Sequence, residues 1–234
     1  QPGPVSVEAA PSTFTVLVEV RDDTSNRVVR TANRNFIMDV LTDPVSGALG
    51  SGSLNVTFGQ TIGGEALITN QYYTAAETIY IRVREATGAD RPTLAYSPEI
   101  RVGASAIDHI VMSALAPADE VQANVRYQLQ ANQQSTIQAF AYDINDNPIQ
   151  STDLFFRILE TTVGSLSVTQ ATTDENGMAS FAFTAGARNE RNTIEARDNT
   201  ITPNATGTLI MDVTVTQDGG VYPNPFNPLR PDQW

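Results

Sequence analysis

Residues 14–21 read Phe14-Thr15-Val16-Leu17-Val18-Glu19-Val20-Arg21, with Phe14, Val16, Val18 and Val20 recurring at every second position. Side chains of an extended strand point alternately to its two faces, so this period places one apolar stripe on a core. The same rhythm recurs in Phe36, Met38 and Val40, in Leu54, Val56 and Phe58, and in Ile79, Ile81 and Val83. It returns in Leu154, Phe156 and Ile158, in Ala179, Phe181 and Phe183, and in Leu209, Met211, Val213 and Val215. No stretch carries helical spacing, and the stripes predict half-buried antiparallel strands throughout. The chain reads as all-β.

Turn chemistry points the same way. Asn176-Gly177 before Met178 predicts a type I′ hairpin, which needs positive φ at both central residues. Gly63-Gly64 takes the corresponding place in the first half, and Asp43-Pro44 and Asn147-Pro148 interrupt strands because proline cannot donate to a ladder.

Gly52-Ser53-Leu54-Asn55-Val56 is echoed by Gly164-Ser165-Leu166-Ser167-Val168, and Thr74-Ala75 and Thr78-Ile79 by Thr184-Ala185 and Thr193-Ile194, in the same order. The strand ending at Asp22 corresponds to the one ending at Asp143. This internal repeat predicts two tandem immunoglobulin-like β-sandwiches, residues 1–103 and 104–218, followed by a proline-rich tail or the start of a further domain at 219–234. The connector near Gly103 is short, which predicts a semi-rigid rod.

Composition narrows the chemistry. Among 234 residues, 14 basic against 26 acidic side chains give a net charge of −12, a surface that repels nucleic acid. All the basic residues are arginine, and Lys and Cys are absent. Disulfides, thiolate metal sites, cysteine nucleophiles, Schiff-base lysines and a P-loop lysine are thereby excluded. No apolar run approaches the roughly 20 residues of a membrane-spanning helix, so membrane insertion is not expected. The chain opens at Gln1 without a basic-then-apolar leader, as a processed chain or a fragment does.

The segments Ala131–Thr136, Asp143-Ile144-Asn145-Asp146-Asn147-Pro148-Ile149, Gly164-Ser165-Leu166 and Thr173-Asp174-Glu175-Asn176-Gly177-Met178-Ala179 carry a family likeness. Through them, residues of about 106–216 resemble the bacterial immunoglobulin-like domains of the invasin/intimin group, with Asp146 where that group often has Gly. The first half shares the likeness through the repeat. The stretch Val221-Tyr222-Pro223-Asn224-Pro225-Phe226-Asn227-Pro228 resembles the opening of a C-terminal sorting domain of secreted bacterial proteins, and stops before that domain's strands. Together these resemblances imply an extracellular or cell-surface setting.

Candidate sites are few. Asp143, Asn145 and Asp146 cluster oxygen atoms of the type Ca²⁺ requires, although Pro148 and Leu154 break the EF-hand pattern and Asp and Asn are ordinary turn formers. Asp108 and His109 are adjacent, and strand alternation predicts that they do not pair. The carboxylates Asp22-Asp23 and Asp174-Glu175 sit at turns. Tyr72 and Tyr73 in the body and Tyr222 and Phe226 in the tail are the aromatic candidates for anchoring a partner. No catalytic residue is assigned, and no cofactor beyond a candidate Ca²⁺ site.

The expected function is a structural or adhesive module of a bacterial surface or extracellular protein, a stalk repeat or filament subunit. Its expected partners are other copies of the chain or neighbouring domains, and surface glycan. Exposed sheet edges and the termini can add strands, and the absence of Lys removes the usual edge blocker. The alternative is a carbohydrate-binding or accessory module of a secreted hydrolase.

Overall fold

The computed structural model describes residues 4–86, 93–123, 125–160, 164–198 and 205–215; the tail carrying Tyr222 and Phe226 lies outside them. The first body contains β1 (Val5–Glu8), β2 (Phe14–Glu19), β3 (Asn35–Asp43), β4 (Ala48–Leu49), β5 (Phe58–Gln60), β6 (Glu65–Gln71), β7 (Thr78–Glu85), β8 (Thr93–Tyr96) and β9 (Ile100–Gly103). The second contains β10 (His109–Ala114), β11 (Asp119–Gln122), β12 (Arg126–Gln130), β13 (Gln134–Tyr142), β14 (Asp153–Ile158), β15 (Ser165–Leu166), β16 (Gln170–Thr172), β17 (Met178–Thr184), β18 (Glu190–Asp198) and β19 (Thr206–Thr214).

Each body is an immunoglobulin-like sandwich of two sheets. In the second, a sheet of order β10-β13-β17-β15 faces one of order β11-β12-β19-β18-β14-β16. In the first, the pair β2-β6 faces a sheet of order β1-β9-β7-β3-β4, with β5 also on β3 and β8 also on β7. The two are built alike. Val16 and Val18 stand opposite Ile68 and Ala66, as Ile137 and Ala139 stand opposite Phe181 and Ala179. The parallel pair β1–β9 has its counterpart in β12–β19.

The predicted stripes fill two separate cores, apart from Val215, which lies exposed one residue past the end of β19. Phe36, Met38, Ile79, Ile81 and Val83 pack with Val18, Ile100 and Val102 in the first. Leu154, Phe156, Phe181, Phe183, Leu209, Met211 and Val213 pack with Ile110, Met112 and Ile137 in the second.

Two further expectations, on Phe58 and on Asn176-Gly177, fail for one shared reason. Phe58 was expected on the face of Leu54 and Val56, yet it is exposed (74%) while Leu54 is buried. Leu54 bridges Tyr73 on the β6 side of the sandwich, whereas Phe58 pairs with Ile37 of β3 in the opposite sheet. The segment between them changes layer, and alternation carries no label for the layer. Likewise, Asn176-Gly177 does not close a hairpin. β16 pairs with β14 and β17 with β13, so the turn crosses between sheets. Only Gly177 has positive φ (71°), where a type I′ turn needs two such residues. A side chain on Gly177 would meet the Ala141 carbonyl oxygen at 2.7 Å, so a close backbone approach as well as the φ angle requires glycine there.

Candidate functional site at the joint between the sandwiches

β9 ends at Gly103 and β10 begins at His109, so the ends of two loop clusters meet across a short connector. On the side of the second sandwich, β13 runs into Asp143-Ile144-Asn145-Asp146-Asn147-Pro148. The loop closes on itself: Asp143 N donates to Asn147 O (3.0 Å) and Asp146 N to Asp143 O (3.1 Å). Asp146 adopts the left-handed region (φ 62°), which Asp tolerates better than most residues.

Asp143 is completely buried at the centre of this loop. Its Oδ1 accepts from the Asn145 and Asn147 amides, both at 2.9 Å, and its Oδ2 from Ser105 N at 3.0 Å and Ser105 Oγ at 3.2 Å. The Asn147 side-chain amide donates to both oxygens, at 3.1 and 2.9 Å. Burial pushes the carboxyl pKa up, and the donated bonds from Asn147, Ser105 and Asn145 outweigh it, leaving the group below its ordinary range.

Anchored in this way, Asn147 reaches the first sandwich. Its Oδ1 accepts from Ala76 N (2.9 Å) and its Nδ2 donates to Thr74 O (2.8 Å). Asn145 Nδ2 donates to Ala10 O at 2.6 Å. The receiving loop has its own anchor. Glu77 accepts from Ser51 N (2.7 Å), Ser51 Oγ (3.1 Å) and the Tyr73 hydroxyl (2.5 Å), while Tyr73 OH accepts from Gly52 N (2.8 Å). Burial pushes the Glu77 carboxyl up, but bonds from Tyr73, Ser51 and Gly52 hold it below its usual range. Burial, reinforced by the Glu77 carboxylate, raises the Tyr73 phenol. A carboxylate thus pins the loop on each side, and asparagine amides join them.

The sequence candidates separate here. Tyr73 is corrected: it is fully buried in the first core, because its hydroxyl is needed by Gly52 and Glu77, and it presents no face to a partner. Tyr72 is half-buried, with its backbone N–H on Asn55 Oδ1 at 3.0 Å. Asp143, Asn145 and Asp146 do share one loop, but Asp143 directs both oxygens at N–H and O–H donors and Asn145 turns its amide to Ala10. Among the described residues, no group of three or more His, Cys, Asp or Glu is arranged to hold a metal ion.

The expectation that Asp108 and His109 do not pair is also corrected. His109 Nδ1 lies 3.1 Å from Asp108 Oδ2 and Nε2 lies 3.3 Å from Asp146 Oδ1, with the ring stacked 5.5 Å from Tyr142. Asp108 precedes β10, so strand alternation does not constrain it. Both ring nitrogens face carboxylates, which leaves neither to activate a hydroxyl. The turn carboxylates Asp22 and Asp174 serve their own turns: Asp22 Oδ1 accepts from Ser25 N (2.7 Å), and Asp174 Oδ1 from Asn176 N and Met178 N (both 2.9 Å).

Sequence reasoning missed Asn147, Ser105 and Glu77. The available signal was an Asp/Asn loop with more side-chain amides than a turn consumes, placed where β13 returns towards the connector.

Two outcomes follow from this chemistry. Tyr73→Phe removes the hydroxyl shared by Gly52 and Glu77 and is expected to lower the first sandwich's stability by about 1–3 kcal/mol, measured by urea unfolding. Asp143 stabilises the fold only while ionised, because its folded-state pKa is lowered from the ordinary 3.8. Its contribution is complete well above that value and is lost as the pH falls through the lower folded-state pKa. In melting curves, the gap between the native chain and Asp143→Asn should be widest near neutral pH and should close in acid.

The chain is similar to solved structures of bacterial immunoglobulin-like modules. These include the D00–D0 domain of intimin (13% identity over 90% of this chain and 96% of that one, TM-score 0.43). Another is InvD of Yersinia pseudotuberculosis (17% identity, 90% and 55% covered, TM-score 0.47). It is similar also to a β-glycosidase from Bacteroides vulgatus (12% identity, 85% and 24% covered, TM-score 0.37). No family model and no curated protein sequence matches it.

Proposed function

We propose that this chain is a non-catalytic structural and adhesive module of a bacterial cell-surface or extracellular protein, in which two sandwiches act as one stiff spacer of a stalk or filament. The observation that carries this reading is Asn147, held by the buried Asp143 and bonded to the backbone of Thr74 and Ala76 across the joint. A spacer transmits load and sets distance, and both need neighbouring cores to keep a fixed orientation. An untethered connector would let the domains move independently, the default for small polar interfaces. The acidic surface, with net charge −12, keeps such a module soluble and away from nucleic acid.

Immunogold electron microscopy of the native bacterium, with antibody against this chain, tests the reading. Label along surface stalks or filaments is the expected result. Label inside the cell overturns it. Dispersed particles retained on polysaccharide would replace it with the carbohydrate-binding alternative.

A further inference from the structure

The solvent sides of the sheets are dressed differently. On β3 and β7, Asp39 takes both Arg82 (2.8 Å) and Arg84 (2.5 Å). On the sheet of β12, β19, β18 and β14, Arg126 and Arg191 share Asp212 at 2.6 and 2.8 Å, and Arg157 takes Glu195 at 2.7 Å. By contrast, β10, β13 and β17 contain no Arg, Asp or Glu. Their outward positions hold His109 and Val111 on β10, Phe140 and Tyr142 on β13, and Met178 on β17, all half-buried or exposed. Val111 and Met178 stand opposite Phe140 on its two sides, and His109 stands opposite Tyr142. The Phe140 and Tyr142 rings lie 6.4 Å apart and within 11° of parallel.

The fold does not require rings here. Val18 corresponds to Ala139 and Asp22 to Asp143, so Glu19 and Arg21 stand where the second sandwich has Phe140 and Tyr142. Those two pair at 2.7 Å. The same strand of the same kind of sandwich therefore accepts charge at both positions, whereas rings left half in water forgo the gain of burial. Beyond the His109 end of the rings stand Asp108 and Asp146. Each meets His109 through one oxygen, and their side chains are 50% and 85% exposed.

We propose that this face binds a neutral, hydroxyl-rich glycan, with the sugar's apolar C–H face on Phe140 and Tyr142 and its hydroxyls donating to Asp108 and Asp146. Size, chemistry and charge select that occupant. The block measures about 10 Å across three strands and about 7 Å along them. That suits a short run of sugar rings, whereas a stable protein partner needs about 800 Å² on each side. A sugar presents in one molecule an apolar face for the rings and O–H donors for the carboxylates, which when ionised only accept. An anionic polymer is repelled, because residues 104–218 carry fourteen acidic side chains against five arginines. This deepens the adhesive reading and rests on it, by naming what the module holds.

Calorimetric titration of neutral hexasaccharides of glucose, mannose, xylose and N-acetylglucosamine into the full chain, with amide shifts mapped by NMR, tests the proposal. At least one should bind saturably and shift Val111, Phe140, Tyr142 and Met178, while a hexamer of galacturonate should not bind. Phe140→Glu combined with Tyr142→Arg copies Glu19 and Arg21, so dispersed β13 and β17 amide signals should persist while binding weakens by about tenfold or more. Asp108→Ala, at an exposed position before β10, should weaken binding by about fivefold. No binding by any of the four sugars, a preference for galacturonate, shifts elsewhere, or binding undiminished by both changes overturns the proposal. Shifts at Phe140 and Tyr142 that grow with protein concentration alone would also overturn it, by giving the face to a second copy. Surface label with a glycan-blind chain would sink this inference alone; glycan binding at Phe140 and Tyr142 by a chain labelled only inside the cell would sink the proposed function alone.

Discussion

Phe181→Asp unfolds the second sandwich and leaves the first folded: this is the expected result of placing a carboxylate in the second core. Phe181 is 4% exposed and stacks on Phe156, ring centroids 4.1 Å apart at 29°. It stands opposite Ile137, whose own side chain is fully buried. Losing a buried Phe side chain costs about 3–5 kcal/mol by itself. The new carboxylate adds the cost of an unpaired charge among Leu154, Phe183 and Met211. A domain's total stability is about 5–15 kcal/mol, so the two losses together exhaust it. Two-dimensional NMR should show the amide signals of β13, β17 and β18 collapsing while those of β3 and β7 persist. Unchanged melting would mean that Phe181 does not face the core. Simultaneous loss of both sets would mean that the two cores fold as one cooperative unit.

Asn147→Ala acts on the joint and not on either core. It removes the bonds to Thr74 O and Ala76 N and the donation to Asp143. At about 0.5–1.5 kcal/mol for each of the two hydrogen bonds that cross the joint, the coupling between the sandwiches should fall by about 1–3 kcal/mol. Residual dipolar couplings should then require a separate alignment tensor for each sandwich, where the native chain needs one. Small-angle scattering should show a broader distribution of overall dimensions. Asn145→Ala, which loses the bond to Ala10, should have a smaller effect in the same direction. A variant that keeps a single alignment tensor would show that apolar contact, not Asn147, holds the joint.

The period-two stripes of β3, β7, β17 and β19 were legible in the sequence because burial of alternate side chains is a local property of a strand. Phe36, Met38, Ile81, Phe181 and Met211 were placed on core faces from spacing alone, and all are buried. The Asp143 loop was legible as a turn, since Asp and Asn are turn residues wherever they cluster.

Its target was not. Nothing local to Asn147 encodes Thr74 and Ala76, because those bonds exist only once β13 and β7 have delivered their loops to the same end of the connector. Tyr73 shows the same limit. Tyr72 and Tyr73 are equivalent as letters, and the packing of Gly52 and Glu77 decides which one is buried.

By itself, then, the sequence determined which residues extend, which turn and which seek a core, since each depends on near neighbours along the chain. The tertiary structure alone decided which sheet each strand joined, where Phe58 and the Asn176-Gly177 turn change layer, and that Asn147 meets Thr74 and Ala76. Those are properties of pairings between distant segments, and a strand's alternation is the same in whichever sheet it is paired.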